Sequence, residues 1–285
     1  MDSRFRGNDN IVSEFANIMD WPLFNICLLT LVIHLIGALA YAARIAGVRT
    51  SKIALSFALF NVLVLVSRTS NSFLGPFLAK RIENAIADGT GERLLMDMRL
   101  VLLSATVATI LGALAVPTVQ RWFTAAIDEF QHHRSVGKLL WSAMTPKGMK
   151  TVVKAVKLPS SQHLKLWTKP AAVSWRVIAM NVVAQALLTV GVIASLYAGY
   201  LHPEFRVTAS QLSAVVNGFA TILLFVLIDP QLSVMTDDVV EGQVSQPEYR
   251  RTIVWLSMSR IAGTLLAQAM LVPAAALIVW VAVRV

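Results

Sequence analysis

The stretch VIAMNVVAQALLTVGVIASLYAGY, residues 177–200, runs for 24 positions without an Asp, Glu, Lys or Arg. A helix rising about 1.5 Å per residue needs about 20 such positions to cross a hydrocarbon core of about 30 Å. Five more segments qualify around it: residues 22–43, 53–79 with a polar interruption, 94–116, 207–228 and 252–283. The expected fold is therefore all-α, a polytopic membrane protein of about six transmembrane helices. Composition agrees, since 56% of the 285 residues are apolar and 14% are charged, against about 25% charged in soluble domains. A soluble globular protein is excluded. Cys27, the single cysteine, lies inside the first apolar run, which removes disulfide frameworks and thiolate metal clusters. Phosphate-binding loops, nucleophile elbows, zinc-protease motifs and dinucleotide fingerprints are missing too. The expectation is a protein without cofactor or resident metal that does not hydrolyse ATP.

Charge sets the orientation. Residues 120–170 hold nine of the 25 Lys and Arg against Asp128 and Glu129, which is +7 of the formal +9. Short basic loops stay in the cytoplasm, so this connection is expected inside and both termini outside. A cysteine introduced at Ser161 should accordingly react with an impermeant maleimide only after cell lysis; labelling of intact cells would reverse the topology. Within the connection Met149, Val152, Val153 and Val156 recur at helical spacing opposite Lys147, Lys150, Lys154 and Lys157. That pattern predicts an amphipathic helix on a surface of anionic membrane lipids. No nucleic-acid-binding module accompanies the charge, and nucleic acid is not expected as a partner. Residues 1–20 are read as a disordered tail and 21–285 as one transmembrane domain. The first run is a retained span rather than a cleaved signal, because Glu14 and Asp20 precede it and Arg44 follows it.

Ionisable side chains inside spans cost about 2.5 to 3.5 kcal/mol each on insertion scales and so point to function. Arg68 follows the apolar run of residues 53–66, about 24 Å along its helix from Lys52 at 1.5 Å per residue. Gly75 and Pro76 then weaken that helix. Arg260 lies about two turns into the sixth span, while Arg99 and Arg176 sit near span ends where snorkelling accounts for them. His34, Asn61, Asn181, Gln185, Asn217 and Gln268 add neutral polar groups near mid-span; each also suits an interhelical hydrogen bond. A planar guanidinium pairs bidentately with phosphate. Several such groups in a low-charge chain suggest that a phosphate-bearing molecule enters between the helices.

Three further patterns carry expectations. Ser67-Arg68 and Ser259-Arg260 are followed by similar residues at an offset of 192, which suggests a parallel repeat of the first two spans in the last two. Gly191, Ser195 and Gly199 form a ladder of small residues that lets another helix approach, either within the chain or in a homodimer. The acidic segment Asp229, Asp237, Asp238 and Glu241 reads as a helix start or gate, as counter-charge for the arginines, or as a magnesium site.

At RIAGVRT (residues 44–50) and LFNVLVLVSRTSN (residues 59–71) the sequence resembles the bacterial family of alternate lipid II flippases called Amj. DPQLSVMTDDVVEG (residues 229–242) and SRIAGTLLAQ (residues 259–268) are similar to that family as well. The resemblance extends from about residue 31 to 273 and implies movement of lipid II, the undecaprenyl-diphosphate-linked peptidoglycan precursor, from the inner to the outer leaflet of the cytoplasmic membrane. Candidate substrate-binding residues are then Arg44, Arg49, Arg68 and Arg260, with His34 and Asn71. Asp229, Asp237 and Asp238 are candidates for a cytoplasmic gate or counter-charge. A Mg-dependent intramembrane enzyme acting on a prenyl diphosphate and a non-transporting scaffold of wall synthesis are the rival readings.

Overall fold

The computed structural model describes residues 19–145, 148, 150, 153–157 and 173–285. Six of its helices are long and apolar enough to span a membrane. They are α1 (Trp21–Thr50), α2 (Ile53–Ala87), α3 (Leu94–His133), α4 (Trp175–Leu201), α5 and α6 (Gln246–Ala282). α5 is the continuous run Pro203–Val240, built from α-helix at Arg206–Ile222, a π-helical stretch at Leu223–Ile228 and α-helix at Asp229–Val240. A short helix, Val136–Met144, follows α3. No strand occurs among the described residues. The fold is all-α, as composition and hydropathy require.

Local chemistry starts and stops these helices. Asp20 caps α1 by accepting from the Leu23 N–H at 2.8 Å, with Pro22 in the first turn where its missing donor costs nothing. Ser51, at φ 52°, ends it, and its Schellman-type neighbour Lys52 donates back to the Gly47 carbonyl at 3.0 Å. Gly47 lets the next helix turn in closely: a Cβ there would stand 3.1 Å from the Ile53 Cα. Ser56 then ties α2 to α1 by donating to the Ala43 carbonyl at 2.6 Å. Ser245 caps α6 by accepting from Glu248 N–H.

The helices outlast the apolar windows because hydropathy marks only the hydrocarbon layer, whereas the backbone ladder continues into the headgroup region. α3 reaches His133, so the first part of the basic connection is its last turns. Pro76 does not stop α2, which continues eleven residues to Ala87 before Gly89, at φ 65°, breaks it. Lys147, Met149 and Val152 of the expected amphipathic helix and the tail up to residue 18 lie outside the described residues. Of its apolar side, Val153 and Val156 are exposed, and Thr118 of α3 binds Lys157 through both backbone N–H and carbonyl at 2.9 Å.

Packing divides the spans into two triplets. α1 lies along both α2 and α3, α4 lies along both α5 and α6, and the triplets meet chiefly through α3 against α6. α2 and α5 are therefore peripheral and mostly exposed. The small-residue ladder of α4 faces α5 of the same chain: a Cβ on Gly191 would touch Asn217 Oδ1 and Val216, and one on Gly199 would lie 3.2 Å from the Arg206 Cα. A second copy at this face would have to displace α5. The offset-192 correspondence is not reflected in the packing, since Arg68 sits on the exposed side of peripheral α2 while Arg260 enters the bundle.

Two apolar clusters close the bundle, one near each end. The first joins the start of α1 to the ends of α2, α4 and α6 (Ile26, Leu78, Ile193, Leu271). The second joins the end of α1 to the end of α5 and the start of α6 (Ala46, Met235, Tyr249, Leu256). Polar side chains collect between them.

Candidate translocation site

α1 contributes to charged or polar groups at three levels. At its last turns, on the side of the basic connection, Arg44 is 8% exposed. Its Nη2 meets Asp229 Oδ1 at 3.1 Å, its Nη1 donates to Ser233 Oγ at 3.4 Å, and its guanidinium lies 4.9 Å from the Phe57 ring centroid. Asp229 stands in this place because the π-helical turn ahead of it shifts the register of the helix by one residue. The pair bridges the two triplets.

Seven residues earlier, at Gly37, α1 meets Arg260 near mid-span. Arg260 has no carboxylate partner among the described residues, and its Nε is buried without a hydrogen bond. Its guanidinium lies over Gly37, whose missing side chain makes the room: a Cβ there would overlap Nη2 and stand 3.1 Å from Cζ. His34, one turn away, lies within electrostatic reach of this charge, and its Nδ1 is likewise buried and unpartnered. Tyr41, one turn the other way, donates to the Leu256 carbonyl at 3.4 Å. Ser259, the residue before Arg260, joins a chain of hydrogen bonds with α4. Asn181 donates to Ser259 Oγ at 2.7 Å, Gln185 to Asn181 Oδ1 at 3.4 Å, and Thr189 to the Gln185 carbonyl at 2.6 Å. Arg260 Nε and His34 Nδ1 are thus left without partners, while the Asn181, Ser259 and Gln185 side chains bond to one another.

A Gly37→Ala substitution tests this arrangement. The clash falls on the far end of a flexible side chain, so insertion and abundance should be near parental, while the displaced guanidinium should slow the lipid II exchange that the resemblance implies at least about tenfold, or 1.4 kcal/mol. Leaflet exchange at the parental rate would separate Arg260 placement from function.

The third level was not foreseen from sequence. At the start of α1, Arg81 near the end of α2 binds Asp97 in α3 through Nε at 2.9 Å and Nη2 at 2.8 Å, and Asp20 through Nη1 at 2.8 Å. Asp97 is 5% exposed, one turn inside its helix. An aspartate at such a depth, with an arginine six residues before the end of the preceding helix, is the signal that could have revealed the pair. A cleft of about 570 Å³ opens beside it, lined among others by Trp21, Phe77, Lys80, Asn84 and Asp88. Partial burial works against the charge of Asp20, but the Leu23 N–H and Arg81 outweigh it and hold its carboxyl below the usual carboxylate range. A depressed folded pKa stabilises above the unfolded value of about 3.9 and is lost as pH falls through it. The melting temperature should therefore hold from pH 8 to 5 and drop below about pH 4, and Asp20→Asn should flatten that drop.

The remaining candidates are not brought together. Arg49 is exposed at the end of α1, Arg68 and Asn71 are exposed on α2, Asp237 is exposed and Asp238 half-buried on the last turns of α5. Arg99 and Arg176 are exposed near helix ends, and Gln268 donates to the Arg99 carbonyl at 3.0 Å. Among the described residues, no three His, Cys, Asp or Glu side chains converge in a metal-holding group.

Comparison with known proteins bears on this arrangement. The family described as "Amj: Alternate to MurJ" matches residues 29–282, which include every level of the site except Asp20. A protein of Bacillus subtilis (strain 168) named lipid II flippase Amj is 37% identical over 262 residues, covering 90% of this chain and 95% of its own length. No solved structure matches. With the match running through Arg44, Arg81, Asp97, Asp229 and Arg260, this six-span chain belongs to the Amj family.

Proposed function

We propose that the protein is a lipid II flippase, a multi-pass transporter of the bacterial cytoplasmic membrane that serves peptidoglycan synthesis. The observation that carries this reading is Arg260: a guanidinium near mid-span, without a carboxylate, flanked by an unpartnered His34 and seated on a glycine. An unpaired charge held half-buried between helices costs free energy, and a fold retains it where a ligand supplies the missing counter-charge. A diphosphate does so, with bidentate geometry. The polyprenyl tail needs no cavity, because exposed apolar faces of peripheral α2 and α5 leave it in lipid.

In this reading the basic connection lies in the cytoplasm. Arg44, paired with Asp229, is then the entry contact: an incoming diphosphate competes with the carboxylate for one guanidinium and loosens the bridge between the triplets. Arg49, close by and exposed, attracts the anion, while Asp237 and Asp238 line the same cytoplasmic rim. Arg68 and Asn71 face outward on α2, where they meet a headgroup only along the lipid-facing side. The basic connection binds anionic lipids.

The family and the relative's name favour transport over chemistry, so the protein is a transporter rather than an enzyme. The test is leaflet exchange of labelled lipid II in proteoliposomes holding the purified protein. Exchange of unaltered precursor, above that of empty vesicles, is the expected result; hydrolysis of the precursor or no exchange would defeat it.

A further inference from the structure

The two triplets repeat one another in element order, length and ending. α1, α2 and α3 start at Trp21, Ile53 and Leu94, and α4, the α-helical part of α5 and α6 at Trp175, Arg206 and Gln246, offsets of 154, 153 and 152. α2 ends at Ala87 and α5 at Val240, again 153 apart. Two residues beyond each end stand Gly89 and Gly242, also 153 apart, at φ 65° and 81°. That left-handed backbone suits glycine. The third helix of each triplet also carries a glycine where the first comes closest. A Cβ on Gly112 would stand 3.2 Å from the Leu35 carbonyl oxygen, and one on Gly263 would stand 2.7 Å from that of Val182. Three spans reverse the direction of the chain, so the second triplet enters the membrane from the opposite side. That is the element pattern of an inverted-topology repeat, a design whose halves are related by a pseudo-two-fold axis in the membrane plane.

The repeat gives the two apolar clusters a common meaning. In one, Leu74, Leu78 and Ile82 at the end of α2 join Val190, Ile193 and Ala194 at the end of α4. In the other, Leu232, Met235 and Val239 at the end of α5 join Ala42, Ala43 and Ala46 at the end of α1. Ile82 and Met235 are 153 apart. The second helix of each triplet therefore reaches across to the first helix of the other, once at each membrane face.

Each crossing arm begins at a weak point of its helix. In α2, Pro76 withdraws one N–H from the ladder directly after Gly75. In α5, the π-helical stretch Leu223–Ile228 leads into Asp229 and Pro230. Pro76 and Pro230 are 154 apart. Between the arms lies the polar layer around Arg260, so in this structure both ends are covered.

We propose that residues 76–87 of α2 and 230–240 of α5 are the outer and inner gates of one alternating-access cycle, hinged at Gly75-Pro76 and at the π-helical stretch. The proposal rests on the flippase reading only for what passes between the gates. Symmetry requires that they work in opposition, because the open-outside state of one triplet arrangement is the inverted image of the open-inside state. Opening both would expose the polar layer to both solvents at once.

The test is site-directed labelling in a Cys27→Ser background, with Leu78→Cys reporting the outer gate from right-side-out vesicles and Met235→Cys the inner gate from inverted ones. Ala194→Cys, on the α4 face that the outer arm covers, gives a second reporter with little change in volume. Asp229→Ala, which releases the inner arm from Arg44, should raise impermeant-maleimide labelling of Met235→Cys at least fivefold and lower that of Leu78→Cys and Ala194→Cys at least threefold. Gly75→Ala meets nothing within 4 Å, so it folds; by stiffening the outer hinge it should lower outer labelling and raise inner labelling by similar factors. Gly218→Ala, in equally open space on α5 but ahead of the hinge, should change neither. Labels that rise together, or outer reporters that ignore both substitutions, would overturn the proposal. Labelling needs no lipid II, so opposed gates without lipid II exchange would defeat the flippase reading alone, and exchange without opposed gates would defeat this one alone.

Discussion

Arg260→Ala is expected to exchange lipid II between leaflets at least about 30-fold more slowly than the parent protein, while inserting and accumulating normally. Removing a charge from a buried, charge-assisted contact costs about 2 to 5 kcal/mol, and 2 kcal/mol is about 30-fold. Because Arg260 has no carboxylate partner among the described residues, its loss strands no protein anion and the fold gains from losing an unpaired, half-buried charge. Stability and transport should therefore move in opposite directions: a higher melting temperature with slower exchange. A merely structural arginine would lower both. Arg260→Lys should recover exchange in part, since an ammonium keeps the charge and loses the bidentate fork. From sequence, Arg68 and Arg260 are equivalent candidates, but Arg68 is exposed on α2, and its alanine variant should lose less than tenfold. Equal losses at the two sites would show that the substrate travels along α2 rather than beside α1.

The inner ion pair gives the second large effect, and a charge swap dissects it. Arg44→Ala leaves Asp229 without its partner at a site where the carboxylate side chain is 41% exposed. Breaking a fully buried pair costs about 3 to 5 kcal/mol, and screening at this exposure reduces that to about 1 to 2 kcal/mol. Transport should fall further, by at least about tenfold, because the entry contact is gone. The double variant Arg44→Asp, Asp229→Arg restores the pair with its polarity reversed across the triplet boundary. Thermal stability should return to within about 1 kcal/mol of the parent, and exchange should not return, since a carboxylate now sits on α1 where the diphosphate arrives. Full recovery of exchange by the swap would make the pair a latch alone and remove Arg44 from the substrate path.

The sequence by itself determined the all-α class, the six spans and the membrane setting, because each is a one-dimensional property. A helix must satisfy its own backbone in hydrocarbon, so 20 apolar residues such as those of α4 leave no other option. It also marked His34 and Arg260 as chemically unusual, since charge or strong polarity inside an apolar run is visible without neighbours, whereas Arg44 and Asp229, just past the ends of their runs, became candidates through the resemblance and the acidic cluster. Helix ends were less legible: Gly75-Pro76 looks like a break, yet flanking turns carry α2 through it, and the polar last turns of α3 lie past any hydropathy window. What only the tertiary structure decided is which polar groups meet. Arg44 and Asp229 are 185 positions apart, and Arg260 reaches Gly37 from the far end of the chain. Arg81 and Asp97 were overlooked because each alone resembles an ordinary charge near a helix end; the contact of two guanidinium nitrogens with one carboxylate oxygen exists only once α2 and α3 fold back on each other. The triplets likewise depend on which faces of six uniformly apolar helices pack. Hydropathy hardly distinguishes those faces, since lipid tails and leucine side chains are equally apolar, and steric fit at Gly112, Gly191 and Gly263 chooses among them.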